Sequence, residues 1–340
     1  MTERNALLTA FLDASGWGNA ARAPLAGDAS NRRYERLTSA EGLPAVLMDA
    51  PPEKDEDVRP FMAIASYLAS LGLSAPQILA SDTAHGFLLL EDLGDDLFAR
   101  VVKAAPAQET ELYTAATEVL LHLHASPPPE QLARYDATVM AEMAALAYRW
   151  YGAQDTQRLA KKSAAFKDRF EALLASECPD QTVLIQRDYH AENLLWLPAR
   201  SGPARVGLLD FQDAMLGHPA YDLVSLLQDA RRDVPRATEQ AMLAHYISAS
   251  GQDREGFTAA YALLGAQRNL RILGVFARLS LLAGKPHYID LIPRVWGYLM
   301  RDLAHPVLAP LRAQLLADLP APSDALLREL KVKCATAQTP

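Results

Sequence analysis

Three oxygen-bearing side chains stand in a fixed order: Asp188, then Asn193 five residues later, then Asp210 after two short apolar runs at 194–197 and 206–209. A positioned carboxylate can orient a hydroxyl and take its proton. An amide oxygen and a second carboxylate are hard donors of the kind that hold Mg²⁺, an ion that takes few protein ligands and keeps several waters. Together they supply what phosphoryl transfer asks of a protein, a placed nucleophile and metal-borne charge on the phosphates. Apolar runs this short read as buried strands rather than helices. The 198–203 stretch between them, with Pro198, Ser201, Gly202 and Pro203, is turn chemistry. The spacing therefore predicts a strand hairpin with Asp188 and Asn193 at its entry and Asp210 at its exit, and a loop that turns both entry side chains into one cleft.

The Asp-x-x-x-x-Asn spacing with Asp210-Phe211 behind it is that of a kinase catalytic loop and its metal-binding Asp-Phe. Residues 184–223 resemble the aminoglycoside phosphotransferase and choline kinase superfamily, a branch of the protein-kinase-like fold. Most of that superfamily has His-Gly-Asp where this chain has Gln186-Arg187-Asp188. Arg187-Asp188-Tyr189-His190, followed by LLDFQDA and AYDLVSLLQDARRDV, is similar to a narrower group, the bacterial anomeric sugar kinases acting on N-acetylmuramate and N-acetylglucosamine. The similarity runs from about residue 27 to about residue 301.

The resemblance implies an α+β, bilobal kinase-like fold. A small nucleotide-binding lobe with an antiparallel sheet would span 1–92, and a larger, mostly helical lobe 93–340. It implies ATP and Mg²⁺ as cofactors and an amino sugar as acceptor, giving a sugar 1-phosphate in cell-wall recycling. Asp188 would be the catalytic base, and Asn193 and Asp210 the metal ligands. Ser30, Asn31 and Arg32 would meet the nucleotide phosphates, with Glu91 and Leu93 at the hinge that receives the base. His190, Glu192, Arg231 and Arg232 would face the acceptor. The lactyl carboxylate of N-acetylmuramate calls for a cation, and Arg231, Arg232, Arg268 and Arg271 are the candidates. Asp222 would support the catalytic loop by hydrogen bonds. An aminoglycoside or choline-type kinase is the alternative within the superfamily. A nucleotide-binding scaffold without turnover is the alternative outside it.

The elements that must position these residues follow from periodicity. A first helix is expected over 2–14, with Thr2 as its cap and Leu7, Leu8, Phe11 and Leu12 on one face. Gly27–Tyr34 reads as a turn, either an ordinary hairpin turn or, as the resemblance implies, a phosphate-binding one, leading into strands at 34–37 and 43–50. The second of these departs from the kinase pattern, because Met48 or a neighbour stands where a phosphate-gripping lysine is expected. Lys54 is out of place for that task, which leaves Arg32 or Arg33, or a nucleotide held mainly by metal and backbone. The two arginines alternate in side, so at most one can face a nucleotide. A helix over 56–71, strands at 76–80 and 86–90, and the acidic stretch 91–94 complete the first lobe. Helices are then expected over 110–124, two within 138–175, from 222, over 237–250, 254–282, 288–303, 310–319 and 324–332. His122 and His124 cannot share a metal on a helix, where they lie about 200° apart. They read as structural, and Tyr148, Trp150 and Tyr151 as a core cluster.

Composition narrows the class further. Half of the 340 residues are hydrophobic, and the formal charge of −8 argues against a nucleic-acid surface. Cys178 and Cys334 have no metal or redox spacing, as expected of thiols in a reducing compartment. No uninterrupted apolar stretch reaches ~18 residues, and the amino terminus lacks a signal-peptide core. A monomeric cytoplasmic protein with small-molecule partners is expected.

Overall fold

The computed structural model describes the backbone of residues 3–25, 31–152 and 156–336, and their side chains except at 156–158 and 160. Thr2 and Gly27–Ser30 lie outside the described residues. In chain order the elements are α1 (Glu3–Ala14), β1 (Ala21–Pro24), β2 (Arg33–Thr38), β3 (Pro44–Asp49), α2 (Arg59–Ser70), β4 (Ile78–Asp82), β5 (Phe87–Glu91), α3 (Phe98–Ala104) and α4 (Glu109–His124). There follow α5 (Ala137–Ala144), α6 (Thr156–Glu177), β6 (Val183–Ile185), β7 (Leu194–Trp196), β8 (Val206–Leu208) and β9 (Met215–Gly217). The chain closes with α7 (Ala220–Leu227), α8 (Arg236–Ser250), α9 (Arg254–Leu281), α10 (Ile292–Asp302), α11 (Ala309–Asp318) and α12 (Asp324–Val332).

Contacts group the chain into two compact units. One comprises Met1–Val119 with Ala191–Ala214, the other Leu120–His190 with Met215–Pro340. The first unit takes in the sheet of residues 1–92 and adds α3, most of α4 and the 191–214 segment.

The first unit is built on an antiparallel five-stranded sheet of order β1-β2-β3-β5-β4. Strand alternation sorts its residues. Leu37, Ala45, Leu47, Phe87 and Leu89 bury on one face, against Leu8, Phe11 and Leu12 of α1. Tyr34 opposite Met48, and Arg36 opposite Val46, lie on the other. Met48 is 1% exposed, so the position where a lysine is expected is filled by core. The expected hairpin is present: Leu194 pairs with Leu208 and Trp196 with Val206 in an antiparallel register. Helix α3, which the sequence pattern does not reveal, packs on it with Phe98 edge-on to Trp196 at 6.0 Å.

The second unit is assembled around α9, which is buried along most of its length because apolar and small residues occupy every side of it. Helices α5, α7 and α10 pack on it. So does a π-helical turn at Ala147–Tyr151. Gly274 allows that last contact, since a Cβ there would stand 2.3 Å from the carbonyl carbon of Leu146. Tyr148 and Tyr151 are core, their hydroxyls donating to Asp318 Oδ2 at 3.1 Å and the Pro320 carbonyl at 2.7 Å. Strands β6 and β9 pair antiparallel, and β6 leads into the loop that carries Asp188. Among the described residues no helix is long and apolar enough to cross a membrane.

Gly274→Ala forces a methyl group into backbone and should lower stability by about 1–3 kcal/mol, the usual cost of overpacking a core. Gly297→Ala, in α10 with nothing within 4 Å of the new methyl, should raise stability by ~0.5–1 kcal/mol. Urea unfolding midpoints of the two variants check both signs.

Candidate active site

In the second unit the geometry of the Asp188 loop is set by α7. Asp222, in its first turn, accepts the backbone N–H of Gln186 at 2.6 Å and of Arg187 at 2.9 Å through its two carboxylate oxygens. Ser225, one turn further, donates its hydroxyl to the Arg187 carbonyl at 3.3 Å. The same hydroxyl accepts from Arg268 Nη2 of α9 at 2.7 Å. These bonds hold Arg187 at φ +71°, a left-handed conformation that costs a non-glycine residue roughly 1–2 kcal/mol. The Arg187 guanidinium lies over the Tyr135 ring, 5.6 Å from its centroid. Asp188 follows directly, so its direction from the backbone depends on this turn.

Electrostatics around the loop keep Asp188 charged. Burial favours the neutral form of Asp188, but the guanidinium groups of Arg271 and Arg268 outweigh it and hold the carboxyl below its ordinary value. Burial pushes Asp222 the other way, up to about 7, against the two backbone N–H bonds. His190 is 3% exposed, and burial lowers it to about 4. Arg231 Nη1 lies 3.1 Å from His190 Nε2. A guanidinium can only donate, so Nε2 is the unprotonated, accepting nitrogen. The Arg231 N–H donates to Asp229 Oδ1 at 2.8 Å. Asp188, His190, Arg231, Arg268 and Arg271 thus share one region of this unit. Arg232 is half-buried, and its carbonyl accepts from the Tyr298 hydroxyl at 3.4 Å.

In the first unit β7 and β8 bring Asn193 and Asp210 together, with Asn193 Nδ2 3.4 Å from Asp210 Oδ2. The Leu209 N–H donates to the Asn193 carbonyl at 3.0 Å, which ties the hairpin end. Asp210 is left-handed at φ +58°, and Gln212 Nε2 donates to its Oδ1 at 2.7 Å. Phe211 turns inward and stacks on Phe61 at 4.8 Å. Among the described residues no three His, Cys, Asp or Glu side chains gather as a metal site. An amide oxygen and one carboxylate, completed by water and phosphate oxygens, is a donor set suited to Mg²⁺, so the residues fit that ion. Glu192 is exposed.

The remaining expected residues also lie in the first unit. Glu56 gathers two of them, accepting the Asn31 N–H at 3.0 Å and Arg32 Nε at 2.8 Å. Ser30 lies outside the described residues. Glu91 is engaged by Arg200 Nη2 at 2.5 Å, and its N–H donates to the Gln77 carbonyl at 2.8 Å. Leu93 is half-buried and lies over Gly207. Sequence reasoning did not single out Glu56, Ser225 or Gln212. Only Ser225 carried a signal, its spacing of one helical turn from Asp222.

Residues 22–261 match the phosphotransferase enzyme family, and the chain belongs to it. It is therefore an enzyme, a phosphotransferase of kinase type. Two relatives are named N-acetylmuramate/N-acetylglucosamine kinase. That of Caulobacter vibrioides is 42% identical, covering 92% of this chain and 96% of its own. That of Pseudomonas aeruginosa is 35% identical, covering 92% and 93%. An aminoglycoside phosphotransferase from Streptomyces rimosus, solved with ADP and streptomycin, shares the fold at TM-score 0.52 and 21% identity, over 80% of this chain and 99% of that one. The expected α+β kinase-like fold is thereby borne out, with its antiparallel sheet and its mostly helical remainder.

Ser225→Ala removes the hydroxyl between Arg268 and Arg187. It should lower kcat about fivefold while changing the sugar KM less than threefold, since a bond of ~1 kcal/mol positions the loop rather than the substrate. Steady-state kinetics separate the two constants. Acid stability tests the neutral histidine. The folded value of His190, about 4, lies below the unfolded value near 6.5. Between those values the unfolded chain binds a proton that the fold refuses, so stability falls as pH drops from about 6.5 to about 4. Replacing His190 by Asn should flatten that fall by up to ~1.4 kcal/mol per pH unit in urea titrations.

Proposed function

We propose that this enzyme transfers the γ-phosphoryl group of ATP to the anomeric hydroxyl of N-acetylmuramate and N-acetylglucosamine, giving the sugar 1-phosphates for cell-wall recycling. The observation that carries this reading is the 42% identity, across 92% of the chain, to a relative named for those two sugars. The cationic surroundings of Asp188 agree with it. Arg268, Arg271 and Arg231 suit an acceptor with a carboxylate, where a choline or an aminoglycoside would call for carboxylates.

Asp188 orients the anomeric hydroxyl and takes its proton as the bond to phosphorus forms. A carboxylate held ionised by arginines is a weak base. It suffices because an anomeric hydroxyl is more acidic than an ordinary alcohol. Asp222, Ser225 and Arg268 keep the loop in place. Asn193 and Asp210 would hold Mg²⁺, which offsets charge on the phosphate oxygens. Asn31 and Arg32 serve the nucleotide phosphates, and the 91–93 segment its base. His190, Arg231, Arg232 and Glu192 serve the acceptor. A single chain carries all of these groups, so a monomer is sufficient, and the need for ATP sets the reaction in the cytoplasm.

Incubation with ATP, Mg²⁺ and each amino sugar should release ADP and give an anomeric phosphate signal by phosphorus NMR. Asp188→Asn should lower turnover by ~10²–10⁴-fold, the usual weight of a general base. ADP release with choline or kanamycin but with neither amino sugar would overturn the substrate assignment.

A further inference from the structure

The sheet of the first unit separates the two arginines that could meet a nucleotide. Arg33 pairs with Asp49, Glu35 with Leu47 and Leu37 with Ala45, and this face closes on α1. Arg32, just ahead of β2, falls in alternation with Tyr34 and Arg36 on the opposite face. At one end of that face Arg36 reaches the segment after β5, with Nε 2.6 Å from Asp92 Oδ2 and Nη1 2.7 Å from Asp95 Oδ2. Arg32 stands at the other end, ~13 Å away at the rise of a strand.

Arg32 is held there. Its Nε donates to Glu56 Oε2 at 2.8 Å, and the two side chains are only 13% and 11% exposed. The other Glu56 oxygen accepts the Asn31 N–H at 3.0 Å, so one carboxylate fixes both the backbone and the cation at the start of β2. The Tyr34 side chain is a further hydrogen-bond partner of Arg32 on the same face. Neighbouring cations of the sheet are placed for other tasks, Arg4 among them, which binds Asp49 on the α1 face. Arg33 is exposed on the α1 face, Lys54 is exposed, Arg36 is already bound by two carboxylates, and β3 offers only Met48 at the corresponding depth. Phosphate oxygens need a cation, and a guanidinium fixed through Nε is pre-organised for them.

We infer that Arg32, positioned by Glu56, is the cation that receives the phosphate oxygens of the nucleotide, in place of a lysine on β3. The inference rests on the nucleotide-dependent reading given above. Calorimetric titration with ADP and with adenosine tests it, because adenosine reports the base site alone. Arg32→Gln should weaken ADP binding about 30-fold, in the range of hydrogen bonds to a charged group, and leave adenosine binding unchanged. Arg32→Lys should recover part of the loss, and Glu56→Gln should weaken ADP binding with adenosine again unchanged. Arg33→Gln should stay within twofold of the unaltered enzyme for both. ADP affinity within threefold of the unaltered enzyme in Arg32→Gln, or a loss of ADP and adenosine alike, would overturn the assignment while leaving the kinase reading intact. If the unaltered enzyme binds no ADP, the kinase reading itself falls and this inference with it.

Discussion

The carboxylate of Asp222 is the constraint on which the Asp188 loop depends. It closes the loop by accepting two consecutive backbone N–H groups, and it does so from a fully buried position in the first turn of α7. A buried carboxylate is costly unless its oxygens are satisfied. Here the two N–H groups satisfy it, and in return a left-handed arginine is kept in place immediately before Asp188. Strain of this kind persists only where neighbours over-determine it. Asp222, Ser225, Arg268 and the Tyr135 ring do so from two helices and a loop.

A second economy of charge runs through the same unit. Arg268 and Arg271 lie one turn apart on α9 and keep Asp188 ionised. His190, by contrast, is kept neutral, and its bond from Arg231 needs no proton on Nε2. The region therefore sets the ionised carboxylate of Asp188 among several fixed donors, as the proposed oxygen-rich acceptor would require. In the first unit the charges work pairwise instead: Arg36 with Asp92 and Asp95, Arg200 with Glu91, and Arg32 with Glu56. Each pair fixes an end of the sheet or the segment that follows it.

Much of this was legible in the chain. Two apolar runs around a Pro/Gly turn announced β7 and β8, because three buried residues in a row on each side leave few other ways to pair. The long helices showed through their apolar periodicity, and Asp222 through the resemblance of Tyr221-Asp222 to the superfamily's structural Asp. Other elements were not legible for physical reasons. Strands β6 and β9 have three residues each, too few to show alternation, and β1 is exposed along all four of its residues. Helix α3 spans seven residues and buries only Phe98 and Val102. Contacts between distant positions leave no local trace. Arg32 and Glu56 are 24 residues apart, and Arg268 and Ser225 are 43 apart.

In the proposed reaction the anomeric oxygen of the sugar attacks phosphorus, directed by Asp188. Turnover of N-acetylglucosamine carrying ¹⁸O at its anomeric position, followed by phosphorus NMR of the product, tests this most directly. Attack by the anomeric oxygen gives a phosphate signal with the isotope shift of a bridging ¹⁸O, since the C–O bond of the sugar is kept and the P–O bond to ADP is broken. A product signal without that shift, or a phosphate on another hydroxyl, would contradict it.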